Sequence, residues 1–364
     1  MDRTDIALCY GTRPQVIKAS ALRRELGRIG ALLAVDTGQH YDYELNALLY
    51  RQLGVRPADV LLEVGSGSHA EQTAAILVRA ERVFRERRPR AVVVIGDTNS
   101  TLGPALAAAK LRIPVVHVEA GLRAADALMP EEINRRVVDS FAQVLCTPSA
   151  RATARVMAER CDAAVHLTGD VAYDVLLDRA DRLSDPGSIL GPAAGRPYVY
   201  ATLHRAELTD RPAVLLQVLA ALAGLDLPVV LPLHPRTRSV LDAQSPRATF
   251  GPGLSIIPPV GYLESLALGR GAEVVVTDSG GVQREAYWFG VPCVTLRAET
   301  EWAETIELGA NLSLDPVEAA DGLAPAVEQQ RERWPGGGSW DRSAYGKGAA
   351  AARVAAALEP LLAS

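Results

Sequence analysis

Short apolar runs rich in β-branched residues alternate along the chain with stretches of Ala, Leu and Arg at helical period, the pattern of parallel βαβ units. In the first half this pattern predicts strands at residues 6–10, 32–36, 91–96, 114–118, 143–147 and near 165–168. Helices are predicted between them, among others at 15–28, 71–86 and 102–111. A loop rich in Ser, Pro and Gly (184–197) interrupts the rhythm, which restarts with strands at 198–203, 228–233, 254–258, 273–277 and 291–296. An Ala-rich helix is predicted at 348–363, shortly after the loop WPGGGSWD. The α/β pattern therefore predicts two Rossmann-like domains: 1–175 with the final helix 348–363, and 190–347, with a hinge near 175–195.

Ligands of such sheets gather at the carboxyl ends of the strands, so polar residues there are the first candidates. Arg13 follows the first strand, Gln39 and His40 the second, Asp97 the run AVVVIG, and Glu119 the run VVHV. In the second half His204 follows YVYATL, His234 follows VVLPL, and Asp278-Ser279-Gly280-Gly281 follow EVVVT. Polar strand ends this frequent, on edges that would face each other across a cleft, predict an active site between the domains.

Composition narrows the class. With 48% apolar and 22% charged residues the chain of 364 is an ordinary globular protein, and its length suits two domains. Aromatics are only 5%, so the core must come mainly from Ala, Leu and Val. A net charge of -5 and the lack of a long basic tract argue against nucleic acid as a partner. Lysine is scarce (Lys18, Lys110 and Lys347, against 35 Arg), so the position of each one is informative. Cys9, Cys146, Cys161 and Cys293 share no CxxC spacing, and three lie in apolar runs, as buried free thiols do. The start MDRTDIALCYG has too short an apolar stretch for a signal peptide, and no run approaches a membrane span. A soluble cytoplasmic protein with no membrane partner is expected.

Two loops carry anion-binding chemistry. GTRPQVIK (Gly11–Lys18) joins a strand to a helix: Gly11 permits a tight turn, Pro14 suits a helix start, and the helix N-terminus favours an anion. Arg13 could add a forked donor to a phosphate and Lys18 a point charge; the plain alternative is a helix start with solvated charges. DSGGVQREA (278–286) is a second such junction, where Ser279 and the bare backbone of Gly280 and Gly281 suit a diphosphate. Glu285, about two turns further, could accept from both ribose hydroxyls; the plain alternative for the loop is an N-cap with Gly allowing close packing. GSGSHA (65–70) mimics a dinucleotide fingerprint, but LLEV before it is a poor central strand and no acidic residue ends a following strand at the usual spacing. A Gly/Ser loop is the better reading, so no NAD is expected.

Three carboxylates stand out: Asp97 in GDTNST, Glu119 in HVEAGLR and Glu131 in MPEEINRR. Together they could serve as acid and base on one substrate, because clustered carboxylates push each other's pKa apart. Singly, Glu131 reads as a helix cap and Asp97 as a loop-ordering acceptor. His204 in TLHRAEL and His234 in PLHPRTR each end an apolar strand just before an Arg, a pairing that suits a diphosphate or a sugar hydroxyl. No HxH, HExxH or tight His/Asp cluster occurs, so no metal is expected.

Taken in order, GTRPQVIKAS, TGQHYD, GDTNSTLGPALAAAKLRIPVVHVEAGLR, MPEEINR, TLHRAE, PLHPRTR, PVGYLE, TDSGGVQREAYWFGVPCVTLR and TEWAET make the chain similar to the non-hydrolysing UDP-N-acetylglucosamine 2-epimerases. The resemblance runs from residue 11 to about 310 and includes the final helix. It implies a GT-B fold, the final helix crossing back onto the first domain, a UDP-sugar substrate, a homodimer, and no need for NAD or metal. It also implies the reaction. The C2 proton of the sugar is removed while UDP departs in an anti-elimination, a glycal stays bound, and UDP re-adds after a proton reaches the other face of C2. By motif, Asp97, Glu119 and Glu131 would be the acid/base carboxylates. Arg13, Lys18, His204, Ser279 and Gly280, with Gly281, would hold the diphosphate. Glu285 would bind ribose, Tyr262 in PVGY would lie near uracil, and His234 would face the sugar or diphosphate.

The chain also departs from that family. Where many bacterial members use a segment like QHRQML to bind an activating second UDP-N-acetylglucosamine, this chain has QHYDYEL (39–45) with Asp42 in place of Gln. That activation is therefore expected to be absent or altered. Position 15 is Gln instead of the commoner Glu, and HRAEL lacks the usual Asn after Glu207. GDTNST with PEEINR is shared with relatives acting on UDP-2,3-diacetamido glucuronic acid, which leaves the sugar open. A hydrolysing 2-epimerase, a GT-B glycosyltransferase and a non-catalytic UDP-sugar-binding protein are the competing readings.

Overall fold

In the computed structural model residues 4–39, 43–160, 162–244 and 250–363 are described. The chain divides into two units, Met1–Arg179 with Ser343–Ser364, and Ala180–Arg342.

The first unit holds a seven-stranded parallel sheet of β1 (Ile6–Tyr10), β2 (Leu32–Asp36), β3 (Val60–Leu61), β4 (Ala91–Ile95), β5 (Val115–Val118), β6 (Val144–Thr147) and β7 (Ala164–Leu167), in the order β3-β2-β1-β4-β5-β6-β7. β1 and β4 are buried along their whole length, as strands covered by helices on both faces must be. Their partners make a core mainly of Ala, Val and Leu, with Phe84 buried in it and Phe141 packed against it. The second unit repeats the scheme with β8 (Val199–Thr202), β9 (Val229–Pro232), β10 (Leu254–Ile257), β11 (Val274–Thr277), β12 (Cys293–Leu296) and β13 (Asn311–Leu314), in the order β10-β9-β8-β11-β12-β13. In each sheet the strand order reverses once, between β1 and β4 and between β8 and β11. Connections on the two sides of such a point diverge and leave a crevice at the carboxyl ends, where doubly wound sheets bind ligands.

The hydrophobic pattern foretold eleven of these strands within a residue or two. The two it did not pick out are edge strands: β3 has two residues, and β13 (NLSL) alternates polar and apolar and is mostly half-buried. A half-exposed edge needs no continuous apolar run. The Ser/Pro/Gly loop contains a helical turn, Gly187–Leu190, followed by a 3-10 turn, Gly191–Ala193. In GSGSHA, Ser68 accepts from the Glu71 backbone N–H and caps the helix His69–Arg87. Cys9, Cys146 and Cys293 are buried free thiols, while Cys161 lies outside the described residues. Among the described residues no helix is long and apolar enough to cross a membrane.

The last helix, Ala350–Ala363, packs within the first unit against the helix Arg13–Ile29. Its first turn is capped from elsewhere in that unit. Asp174 accepts from the backbone N–H of Ala350 at 3.0 Å and of Ala351 at 2.7 Å. Donors at a helix start that have no intrahelical partner are costly when buried, so this carboxylate anchors the chain's return. Asp174→Ala is expected to lower stability by about 1–2 kcal/mol, the usual worth of a lost cap. Urea unfolding measures it, and an unchanged midpoint would show that the cap contributes nothing.

Candidate active site

At the switch point of the first sheet the loop after β1 is held by one side chain. The Gln15 amide oxygen accepts from Gly11 N (2.9 Å) and Thr12 N (3.2 Å), while its NH2 group lies 2.7 Å from the Ile95 carbonyl and 2.9 Å from the Thr98 hydroxyl. A carboxylate could not donate to Ile95, so glutamine ties the ends of β1 and β4 together where a glutamate would not. Gly11 is required by close approach: a Cβ there would lie 1.8 Å from Thr37 Oγ1 and 2.4 Å from Ser100 Oγ. Gln39 joins the same cluster through its oxygen, 2.6 Å from Ser100 Oγ. Arg13 is half-buried at the first position of the helix Arg13–Ile29.

Asp97 and Glu119 follow neighbouring strands. Ile95 of β4 is in register with Val118 of β5, which sets Gly96 beside Glu119; a Cβ on Gly96 would lie 3.3 Å from Glu119 Oε2. Each acid has a buried cation behind it. Lys18 Nζ is ion-paired with Glu119, and both side chains are 8% exposed. Arg135, 2% exposed, is ion-paired with Asp97 on one side and with the fully buried Glu132 on the other. Glu132 also receives Arg136 Nε at 2.7 Å and Ala124 N at 2.8 Å, so its position is over-determined. Asn134 donates to the Asp97 carbonyl at 3.0 Å. Glu131, half-buried, is the second residue of the helix Pro130–Phe141, with its carboxylate in the first turn. Asn99 and Asn134 also line a concavity of ≈ 520 Å³ with His69, Thr73, Pro130 and Ile133.

The second unit is built differently. Asp278, buried at the end of β11, accepts from the backbone N–H of His204 (2.7 Å) and Arg205 (2.8 Å), so it clamps the loop after β8. His204 and His234 bring their rings to 5.3 Å, and His234 Nδ1 accepts from Arg236 N at 3.2 Å, which leaves Nε2 as its donor end. Ser279 is the N-cap of the helix Gly280–Phe289, with its Oγ 3.4 Å from Val282 N. At Gly280 a Cβ would sit 3.0 Å from Trp302 Nε1, so the indole would have to give by a few tenths of an ångström; Gly281 has room, with Ser279 Oγ 3.7 Å away. The Arg284 guanidinium stacks over the Trp302 ring at 3.8 Å and fixes that indole. Glu285 is half-buried on the same helix, which packs against the helix that Tyr262 begins, Tyr262–Gly271.

Sequence and structure comparisons agree on one family. The family model described as UDP-N-acetylglucosamine 2-epimerase matches residues 28–359. The chain belongs to the UDP-N-acetylglucosamine 2-epimerase family. It is similar to the UDP-2,3-diacetamido-2,3-dideoxy-D-glucuronate 2-epimerase of Pseudomonas aeruginosa, at 41% identity over 98% of this chain and 99% of the relative. It is 36% identical to the UDP-N-acetylglucosamine 2-epimerase of Methanocaldococcus jannaschii, over 84% of this chain and 87% of that one. A crystal structure of the M. jannaschii enzyme in complex with UDP-GlcNAc and UDP superposes with a TM-score of 0.88, at 34% identity over 98% of this chain and 99% of that chain. The two Rossmann-like units are thus those of the GT-B fold, and the protein is a UDP-sugar 2-epimerase, an isomerase.

Within each unit the structure gathers most of the residues singled out by motif. Asp97, Glu119 and Lys18 meet at the first switch point, with Arg13 on the adjoining helix turn; His204, His234 and the Asp278–Gly281 loop meet at the second. Lys18 is engaged with a carboxylate on its own unit. His40 and Asp42, in the segment that departs from QHRQML, lie outside the described residues. Among the described residues no three His, Cys, Asp or Glu side chains group as a metal would need. The motifs did not single out Glu132, Arg135 and Asp139. Their signal was present: spacings of three and seven put them on one helical face with the buried Val138, where charges are unusual.

Another buried pair lies in the loop after β12, where Arg297 Nη1 donates to Glu301 Oε2 at 2.9 Å. Burial alone would raise the Glu301 pKa, but the Arg297 charge and hydrogen bond outweigh it and bring it from 4.5 down to about 2. A depressed carboxylate stabilises the fold fully above its unfolded pKa and loses that contribution as pH falls through the folded value. Glu301→Gln should therefore lower stability at pH 7 by on the order of 3 kcal/mol. The gap to the unsubstituted protein should narrow as pH falls from about 4.5 towards 2. Unfolding curves across that range check it, and a gap independent of pH would refute the ionic origin.

Proposed function

We propose that the protein interconverts UDP-N-acetylglucosamine and UDP-N-acetylmannosamine without hydrolysis. The observation that carries this reading is the pair of acids ending β4 and β5, Asp97 and Glu119, each with a buried cation behind it. The C2–H beside an acetamido group is barely acidic, so its loss must be coupled to departure of a good leaving group. A carboxylate takes the C2 proton, the C–H electrons form the C1=C2 bond of the glycal, and the C1–O bond breaks with its electrons going to UDP. Return requires a proton on the opposite face of C2 and attack of UDP on C1. Asp97, Glu119 and Glu131 are the carboxylates that hold and move these protons.

The charge that builds on UDP calls for donors already in place. In the C-terminal unit these are the backbone of Gly280 and Gly281, Ser279 and His204, with His234 for sugar or diphosphate, Glu285 for ribose and Tyr262 near uracil. In the N-terminal unit Arg13 offers a fork. Lys18, although paired with Glu119, has three donor hydrogens and so keeps two for a phosphate. The chemistry is closed over proton and leaving group and calls for neither NAD nor metal. We further propose a homodimer, as the family resemblance implies, and a cytoplasmic location, as the N-terminal sequence suggests.

A second reading is favoured by one finding. The relative at 41% identity acts, by its name, on UDP-2,3-diacetamido-2,3-dideoxy-D-glucuronate. That sugar has the same reacting C1 and C2, and GDTNST with PEEINR fits it equally.

Incubation of each UDP-sugar in D2O, followed by NMR, tests both readings. Deuterium at C2 of an intact UDP-sugar supports epimerisation, and the faster sugar is the substrate. Free N-acetylmannosamine would indicate a hydrolysing enzyme, and no exchange on either sugar would overturn the proposal. Asp97→Asn is expected to cut turnover at least ~100-fold, the scale of a positioned acid or base. Near-normal turnover would remove Asp97 from the mechanism.

A further inference from the structure

The two strand-end acids share a support that lies entirely beneath them. His117 is on β5, two residues before Glu119, and its ring is fully buried. Its Nε2 lies 2.7 Å from the Gly96 carbonyl and its Nδ1 2.7 Å from Asp139 Oδ1. A carbonyl can only accept, so Nε2 carries a hydrogen. The Nδ1 contact with a carboxyl oxygen also requires a proton between the two atoms.

Asp139 comes from the helix Pro130–Phe141, and its other oxygen accepts from Gly121 N at 3.1 Å and from Arg123 Nη1 at 2.7 Å. Burial opposes its charge, but His117 and Arg123 outweigh burial and hold the carboxyl below its usual range. One proton lies between these two side chains, and the ring binds the Gly96 carbonyl from one nitrogen and Asp139 from the other.

These bonds brace backbone in an uncommon conformation, beside the backbone bonds from Gly96 N to Val118 O and from Glu119 N and Ala120 N to Cys146 O. Gly96, with φ 68°, is in the left-handed region, and its carbonyl belongs to the peptide that begins Asp97. Glu119 has φ 72°, a conformation that costs a non-glycine residue on the order of 1 kcal/mol or more. Gly121, with φ 83°, ends the same turn. One carboxylate thus reaches both turns: through His117 to the peptide before Asp97, and directly to the amide two residues after Glu119.

We propose that His117 and Asp139 form a positioning dyad that sets the two acids relative to each other, without touching the substrate. This rests on the acid/base roles proposed for Asp97 and Glu119. A displacement of the order of 1 Å at reacting groups can cost about 100-fold in rate, so a support shared by both acids bears on turnover more than on binding.

The test uses the full-length protein with whichever UDP-sugar exchanges, and reads kcat, KM and the Kd of UDP. His117→Phe fills the space but donates nothing; kcat should fall about 100-fold with KM and UDP affinity within about threefold. His117→Gln can still donate to Gly96 and should recover to within about tenfold of the unsubstituted enzyme. Asp139→Asn should fall alongside it. A kcat within twofold of normal in His117→Phe overturns the proposal, as does a loss in KM and UDP affinity equal to that in kcat. If His117→Phe does not fold, Asp139→Asn decides: a normal kcat overturns the dyad, and a reduced kcat at normal KM and UDP affinity supports it. Asp97→Asn and Glu119→Gln run beside these variants. Should they keep normal turnover, the acid/base reading fails, whereas normal turnover in the dyad variants alone leaves that reading intact and removes the dyad.

Discussion

An acid at the end of a buried parallel strand must have its charge answered from inside the protein, and the first unit is organised around that requirement. Asp97 and Glu119 end two central strands where little water reaches from below. An ionised carboxylate in such a place is tolerated only beside a cation, and removing one partner of a buried pair typically costs about 3–5 kcal/mol. Lys18 answers Glu119, and this fixes the helix Arg13–Ile29 in azimuth and in height above the sheet. Arg135 answers Asp97, but it is itself too buried to stand alone, so Glu132 answers Arg135. The helix Pro130–Phe141 is held to the sheet by these charges as much as by Val138. The contacts that hold this helix to the sheet are therefore the same ones that place the acid.

The second unit meets an opposite requirement. Under the epimerase reading its Gly loop receives an anion, and such a loop should carry no acid of its own towards the ligand. Its one buried carboxylate at the strand end, Asp278, is turned to the backbone of His204 and Arg205, where it ties two loops together. The Ser279 hydroxyl caps the helix, the Trp302 indole occupies the space that Gly280 leaves, and Arg284 backs that indole. The result is a helix N-terminus rigid in backbone and open in charge. The same sheet topology thus carries two electrostatic designs, acids backed by cations in one unit and a Ser-capped helix N-terminus in the other.

Much of this was legible in the sequence, for identifiable reasons. Fully buried parallel strands must be written as unbroken apolar runs, so β1, β4, β8 and β11 announce themselves, and the polar residue after each marks the carboxyl edge. Edge strands carry no such obligation, which is why NLSL and the two residues of β3 went unmarked. Site residues that end strands were visible one by one, whereas their partners were not. That Lys18 meets Glu119 depends on the two being 101 positions apart in sequence and adjacent only after folding. Glu132, Arg135 and Asp139 gave a local sign, charges on the buried face of a helix, but a single helix does not tell which distant group each one serves. His117 was hidden most completely, because one histidine inside an apolar strand reads as a core residue. Only the Gly96 carbonyl and the Asp139 oxygen, from two other elements, give it a task.

The scarcity of lysine bears on why an ammonium stands behind Glu119 in a chain that elsewhere uses arginine. A guanidinium facing a carboxylate prefers a bidentate fork, which commits its planar donors to that partner and fixes both groups. Arg135 divides its fork, one Nη to Glu132 and the other to Asp97, and so acts as a rigid spacer between two acids. Glu119 has a different task under the epimerase reading, since a group that takes or gives a proton at C2 must change its charge during the reaction. A compact ammonium with rotatable donors can stay beside the acid in either protonation state and turn its remaining hydrogens to whatever anion is nearest. A codon bias towards arginine would by itself favour Arg at position 18 as elsewhere. The lysine found there is consistent with a cation that must share itself between a titrating carboxylate and a departing phosphate, which a planar fork does poorly.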